Sequence, residues 1–163
     1  MKGKTVKESA ITSSHLMLIK DSGNFIFDGG KTTPMVHGGI LMTLMDEIAG
    51  MVATKHAGTH VATACIDMQF IAPAFAGNRM ILRSSVNYTT KTSMEIGVRI
   101  EAEDMKTGII KHINSCYLVA VAINDTGKPM DIPSIIPETK DEQRRFNEAK
   151  IRNEERLKKR IKN

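Results

Sequence analysis

The sequence predicts an α+β domain, in which one long helix lies against an antiparallel sheet and a charged helical extension follows. Three observations predict it. Residues 61–123 alternate apolar and polar side chains with a period of two, broken by short turns, which is the pattern of half-buried strands. Residues 37–56 are instead rich in Leu, Met, Ile and Ala with no such alternation, the composition of a buried helix. After Pro129, Pro133 and Pro137, residues 138–163 hold ten Lys and Arg against six Asp and Glu, a charged helical pattern. A chain of 163 residues has the size of one domain. We divide it into a domain over residues 1–132 and a Pro-punctuated linker with a charged helical tail over residues 133–163.

The elements follow in order. Residues 10–20 read as a strand with a β-branched start. Residues 21–36, with Gly23, Gly29, Gly30 and Pro34, read as a loop. In residues 37–56 the apolar side chains Ile40, Leu41, Met42, Leu44, Met45, Ile48, Met51 and Val52 fall nearly all round a helix, which predicts burial on most faces. Residues 61–72 form an extended segment closed by Pro73. Residues 79–90 place Met80, Leu82, Ser84, Val86 and Tyr88 on one face and Arg79, Ile81, Arg83, Ser85 and Asn87 on the other. Residues 94–103 turn Met94, Ile96, Val98, Ile100 and Ala102 inward and Glu95, Arg99, Glu101 and Glu103 outward. A turn at Thr107-Gly108 leads to a last strand over residues 110–123. Four successive strands joined this way read as a meander, and the helix over 37–56 covers its buried face.

Composition narrows the function. The apolar runs fall short of the roughly 18 residues a transmembrane helix needs. The first ten residues are charged with no apolar stretch behind them, unlike a secretory signal. Cys65 and Cys116 have no CxxC spacing and read as reduced core residues. Together these place the expected protein in the cytoplasm, away from membranes. The formal net charge is +5, of which the tail supplies +4. That excess suits a phosphate-bearing ligand, an acidic surface or simply a solvated helix. With 4% aromatics and no Trp there is little to build base-stacking platforms from, so nucleic acid is not the expected partner.

Two features carry chemistry. Asp46 lies within an otherwise apolar helix, where an ionised carboxylate is costly unless paired or hydrogen-bonded. It either has a structural partner or lines a reacting cavity. His37-Gly38-Gly39 opens the same helix, and glycines there let a ligand approach the unpaired N–H groups. The alternative is an ordinary tight turn into the helix. Together they would set a polarising donor and a general base on one helix. His56 and His60 lack a third ligand nearby, so no metal site is expected. Neither Ser13-Ser14 nor Ser84-Ser85 sits in a GxSxG context, and GxGxxG and GxxxxGK[ST] loops are absent.

The run VHGGILMTLMDEIAGMVATKHAG over residues 36–58 resembles the hotdog-fold acyl-CoA thioesterases, in which a Gly-Gly pair opens the central helix and an acid follows seven positions after the second Gly. Asp46 stands seven positions after Gly39. The segments VATACIDMQFIAPAFAGN, KTSMEIGVRIEAED and YLVAVAINDTGKP agree with the resemblance, and the tail from IPETKDEQRRFNEA is similar to the charged extension of the bacterial acyl-CoA hydrolase branch. The likeness covers roughly residues 10–155. It implies a five-stranded antiparallel sheet wrapped around the helix, pairing of subunits through their sheets into a homodimer with sites at the interface, and a homohexamer as a trimer of dimers. It further implies hydrolysis of fatty acyl-CoA to free acid and coenzyme A without metal or cofactor. Asp46 would act as general base or nucleophile, and the Gly39 N–H would polarise the thioester carbonyl. Lys91, Thr92 and Ser93 match the place where related proteins contact coenzyme A; the alternative for them is a plain β-turn. One departure stands out. Many members of the branch carry an Asn seven positions before the first Gly of the pair, and here that position is Lys31, with no Asn or Gln between Asp28 and His37. Thr32, Thr33 or His37 would have to supply the missing polar group. A non-catalytic acyl-CoA-binding module is the alternative reading that this departure favours.

Overall fold

A computed structural model of the protein describes residues 1–28 and 31–161. Its centre is a five-stranded antiparallel sheet of β2 (Ile11–Leu16), β5 (Val61–Phe70), β6 (Asn78–Thr89), β7 (Ser93–Asp104) and β8 (Ile110–Ala122), in the spatial order β2-β6-β7-β8-β5. The helix α2 (Gly38–Ala57) lies on one face, and α3 (Lys140–Ile161) lies on the other. A short strand β1 (Lys4–Thr5) and a one-turn helix α1 (Val6–Ser9) precede β2. The strands β3 (Ser22–Asp28) and β4 (Lys31–Val36) pair as a separate hairpin, and β9 (Ile135–Ile136) precedes α3.

The inward row expected for β7 is the core of the domain: Met94, Ile96, Val98, Ile100 and Ala102 are all buried against α2. Leu41, Met45, Ile48, Ala49, Val52 and Ala53 supply the helix side of that core. The helix forms because Leu, Met and Ala lose little side-chain freedom in it. Gly58 ends it in the left-handed conformation at φ 71°. Lys4 Nζ donates to the terminal carbonyls of Lys55 and His56 at 3.0 and 2.8 Å, placing a cation where the helix dipole favours one. His56 is fully buried, with its Nε2 2.9 Å from the Pro133 carbonyl and its Nδ1 3.3 Å from the Ser9 hydroxyl. The carbonyl can only accept, so Nε2 carries the proton and Nδ1 accepts from Ser9.

Four expectations need correction. Where a loop is expected over residues 21–36, Ser22–Asp28 and Lys31–Val36 pair as strands β3 and β4, because Phe25, Ile26, Thr32 and Thr33 favour extended backbone. Gly29 and Gly30, which also entered that expectation, lie outside the described residues. The strands are not a simple meander: β5 pairs with β8 at the far edge, while β6 pairs with β2 and β7. Residues 71–77 make this possible, since seven extended residues reach about 23 Å and three strand spacings amount to only about 14 Å. Helix α2 is not buried nearly all round; Gly39, Met42, Thr43, Asp46, Glu47 and Met51 form an exposed face. Finally, Tyr88 does not share the inward row with Val86. A bulge between these residues sets Tyr88 opposite Glu95, on the other face of the sheet.

That outer face is where the tail docks. Glu95 is 2% exposed, and its carboxylate receives Arg152 at 2.7 Å and Arg156 at 2.6 Å. The Arg152 guanidinium also stacks 3.7 Å from the centre of the Tyr117 ring. Burial works against its charge, and the Glu95 carboxylate more than offsets that, raising its pKa. Phe146 meets Tyr88 edge to face at 5.1 Å between ring centres, and Ala149 is fully buried. The Pro-punctuated segment is held too, because β9 pairs in parallel with β1 and the Ile135 N–H donates to Thr89 Oγ1.

Candidate active site

The exposed face of α2 brings Gly39, Thr43, Asp46 and Gly50 into one line, at spacings of four, three and four. At its start, His37 is the N-cap: its Nδ1 accepts the Gly39 N–H at 3.0 Å. This is an unusual cap, since side-chain oxygens of Ser, Thr, Asp and Asn normally fill the role. The Gly39 N–H proposed as polarising donor is therefore engaged by the imidazole in this conformation. Both glycines lie close against neighbouring side chains. A Cβ on Gly39 would stand 2.9 Å from His37 Nδ1, and one on Gly38 would stand 3.0 Å from the Phe70 ring. An apolar cleft of about 390 Å³ opens beside Gly38, between the start of α2 and the end of β5, lined by Met35, Leu41, Phe70, Ile71 and Pro73 among others.

Asp46 stands two helical turns further on. It is exposed, and its Oδ1 accepts the Thr63 hydroxyl at 2.9 Å. The polar partner anticipated for this carboxylate is thus a neutral hydroxyl on β5, rather than an Arg or Lys. Sequence reading missed Thr63, because a bulge between Thr63 and Cys65 decides its direction. Thr63 pairs with Ala120 of the inward row, and after the bulge Ile66, Met68 and Phe70 occupy that row. Without the extra residue, Thr63 and these three would face opposite sides of the sheet. Asn114 was also missed. It lies in the inward row of β8, fully buried, and neither atom of its amide has a partner among the described residues. An amide within the alternating row 114, 116, 118, 120 and 122 is the signal that would have flagged it.

The remaining predicted residues fall in two places. Lys91-Thr92-Ser93 forms the β6–β7 turn, closed by the Thr90 and Ser93 hydroxyls at 2.7 Å, with Lys91 Nζ 3.8 Å from Asp131. Ser93 pairs with Val121, which sits beside Ala62 on β5. The turn is therefore at the same end of the sheet as Thr63, two strand spacings or about 10 Å away. Thr33 is on β4 opposite Ile26, exposed, and makes no side-chain hydrogen bond among the described residues. Cys116 is buried on the inner face, where burial pushes its thiol up to about 12, and Cys65 belongs to the outward row. Among the described residues there is no group of three His, Cys, Asp or Glu arranged to hold a metal ion.

A thioesterase superfamily family model matches residues 34–109, which include the helix and its cap. The uncharacterized acyl-CoA thioester hydrolase YkhA of Bacillus subtilis is 32% identical over 140 residues, covering 85% of this chain and 81% of that protein. The chain belongs to the hotdog-fold thioesterase superfamily. Solved structures agree. An apo-hexameric acyl-CoA thioesterase superposes with a TM-score of 0.88 at 31% identity, over 98% of this chain and 97% of that one. The acyl-CoA hydrolase of Staphylococcus aureus, in complex with butyryl coenzyme A and coenzyme A, gives 0.85 at 31% identity over 98% and 93%. The same S. aureus protein has been solved with an Asn, an Asp or a Thr replaced by Ala; its Asn precedes the Asp by fifteen positions, and its Thr follows by seventeen. This thioesterase-superfamily chain spans about a third of the length of the mouse and rat cytosolic acyl coenzyme A thioester hydrolases that it matches. No helix among the described residues is long and apolar enough to cross a membrane.

Proposed function

We propose that this chain hydrolyses fatty acyl-CoA thioesters to free acid and coenzyme A, with Asp46 driving the attack and the Gly39 N–H polarising the carbonyl. The observation that carries the reading is the Asp46 carboxylate, held by Thr63 on an exposed helix face two turns from a Gly-Gly helix start. Seventeen positions separate Asp46 from Thr63, the spacing of the Asp and Thr replaced in the S. aureus hydrolase. The apolar cleft beside Gly38 suits an acyl chain, and the Lys91-Thr92-Ser93 turn offers a cation and hydroxyls for coenzyme A.

Geometry sets Asp46 and the Gly39 N–H apart within a single chain. Seven residues of helix rise about 10 Å. Helix N–H groups point toward the N-terminus, so a carbonyl held on the Gly39 N–H lies beyond that rise and out of reach of Asp46 in the same chain. Asp46 of one copy and the Gly39 N–H of another would therefore meet the same thioester, with Asp46 acting as general base or nucleophile. For the carbonyl to take the Gly39 N–H, it must replace His37 Nδ1 as acceptor. While Nδ1 accepts the Gly39 N–H, Nε2 is the ring nitrogen left to donate.

The assembly follows from what one chain leaves open. β5 is a ten-residue edge strand, and the adjoining α2 face exposes Met42 and Met51. An edge this long invites pairing with a second copy, and a homodimer joined through β5 would cover both surfaces. The hexameric neighbour supports further assembly of such dimers.

Thiol release from a panel of short to long acyl-CoAs tests the reading. The wild type is expected to turn over, and Asp46→Asn is expected to lose about 10²- to 10⁴-fold in kcat while binding coenzyme A within about threefold. Absence of turnover on every member would overturn it. Two observations favour the second reading, a non-catalytic acyl-CoA-binding module: Lys31 stands fifteen positions before Asp46, where the S. aureus protein has its Asn, and His37 engages the Gly39 N–H. That reading predicts coenzyme A affinity without turnover.

A further inference from the structure

Phe70 is the last residue of β5 and belongs to its inward row, paired with Asn114 of β8. Asn114 is fully buried there, yet Phe70 is 55% exposed. Its ring lies against the start of α2 instead of entering the core: a Cβ on Gly38 would stand 3.0 Å from Phe70 Cζ. The same ring lines the cleft of about 390 Å³, together with Met35, Leu41, Ile71 and Pro73. No residue lining that cleft among the described residues carries a polar side chain. Such a wall holds an apolar group and orients nothing by hydrogen bonds, so its shape alone decides what fits.

The place of the ring fixes which part of a substrate it meets. A thioester carbonyl on the Gly39 N–H would sit off the N-terminus of α2, because the first N–H groups of a helix point that way. Gly38 is the next residue and carries the ring. The carbons that follow the carbonyl, C2 and C3 of the acyl group, therefore pass Phe70 on their way into the cleft, and the far end of the chain lies beyond it. Antiparallel pairing of two β5 edges would also bring the Phe70 end of one copy to the Thr63 end of the other. That end holds Asp46 and the Lys91-Thr92-Ser93 turn. The acyl portion of one substrate would then lie on one copy and its coenzyme A portion on the other.

We propose that Phe70 is a specificity-determining residue, whose ring fills the space that a branch at C2 or C3 would need and so selects unbranched acyl groups. The role rests on the function proposed above, which sets the carbonyl on the Gly39 N–H. A straight methylene chain can lie along the ring and gain dispersion contacts. A methyl branch at C2 projects sideways into it, and the ring cannot yield toward Gly38 because the two already touch. One misplaced methyl group in an apolar pocket changes selectivity by about 10- to 200-fold.

Butyryl-CoA and isobutyryl-CoA have the same carbon count and differ at C2, so the ratio of their kcat/KM values reads the ring. The full-length wild type is expected to favour butyryl-CoA about tenfold or more. Phe70→Leu is expected to bring the ratio down to about threefold by raising isobutyryl-CoA turnover, and Phe70→Trp to increase it. Heptanoyl-CoA against 5-methylhexanoyl-CoA, branched beyond the ring, is expected to move by less than about twofold in either variant. Ile71→Ala, in the same cleft wall, is expected to leave the butyryl-to-isobutyryl ratio unchanged, which separates the ring from a general loosening of the cleft. Calorimetric affinities of the Asp46→Asn protein for the same two thioesters, with and without Phe70→Leu, make the test independent of turnover. Discrimination in binding that Phe70→Leu removes, without turnover by the wild type, would sink the hydrolase function and uphold the role of Phe70. Equal handling of both thioesters by the wild type would overturn the proposal. So would a preference that neither Phe70 variant alters, or failure of both thioesters to bind.

Discussion

Helices α2 and α3 lie on opposite faces of one sheet, and each carries one feature that its composition would not predict. The apolar α2 leaves Asp46, Met42 and Met51 on an open face. The charged α3 reaches into the molecule and, with Arg152 and Arg156, closes over the almost fully buried Glu95. The difference is one of partners. Asp46 needs only a hydroxyl and water, because it stays solvated. Glu95 has no water, and two guanidinium groups with their hydrogen bonds must satisfy it. On the proposed function, a charge that serves chemistry is left partly free, whereas one that serves docking is fully committed.

The comparison can be broken most sharply at its two carboxylates. Asp46→Asn should abolish turnover and leave the thermal midpoint within about 2 °C, since an exposed substitution changes stability by about 0.5 kcal/mol at most; a large loss of stability would show that Asp46 is a structural charge after all. Glu95→Gln should do the reverse. It strands two arginines and should cost about 3 to 5 kcal/mol, read as a fall in the thermal midpoint of roughly 10 °C and as faster proteolysis within residues 138–161. Retention of full stability would mean that α3 is held by Phe146 and Ala149 alone.

A smaller effect is expected at Thr63→Val. The swap keeps the shape and removes the donor, so Asp46 loses its orientation and kcat should fall about tenfold, consistent with a hydrogen bond of roughly 1.5 kcal/mol to a charged group. Coenzyme A affinity should not move; a change in KM alone would instead place Thr63 on the substrate. The mildest expectation concerns pH. Burial lowers the pKa of His56 in the folded protein from its ordinary value near 6.5, and the hydrogen bond to Pro133 opposes this only in part. The unfolded chain therefore binds the proton more readily. Stability from the neutral imidazole is complete above about pH 6.5 and declines as the pH falls below it. The thermal midpoint should decrease from pH 7 to pH 5, and His56→Gln should flatten that slope while lowering the plateau.

How much was legible can be judged residue by residue. Asp46 and His37-Gly38-Gly39 stood out because a carboxylate and two glycines are rare in an apolar helical segment, and resemblance to known thioesterases gave them a joint meaning. The β7 row from Met94 to Ala102 was legible because strict alternation leaves only one way to face a core. Thr63 and Tyr88 were not. Each lies at or beside a bulge, where one extra residue reverses the alternation, and nothing local marks a bulge in β5 or β6. The engagement of Gly39 by His37 was also hidden, since Gly-Gly at a helix start is compatible with an open donor or a capped one.

The sequence by itself determined the class of fold, the long central helix, most strand positions and the acid on which the proposed chemistry turns. These depend on periodicity and composition, which are local properties summed along the chain. Tertiary structure alone decided the strand order, the partner of Asp46, the burial of Glu95 under the tail and the apolar cleft beside Gly38. All four arise where segments far apart in sequence meet, Thr63 with Asp46 and Arg152 with Glu95 among them. Such meetings are selected by the packing of the whole sheet against both helices, and no window of the sequence contains that information.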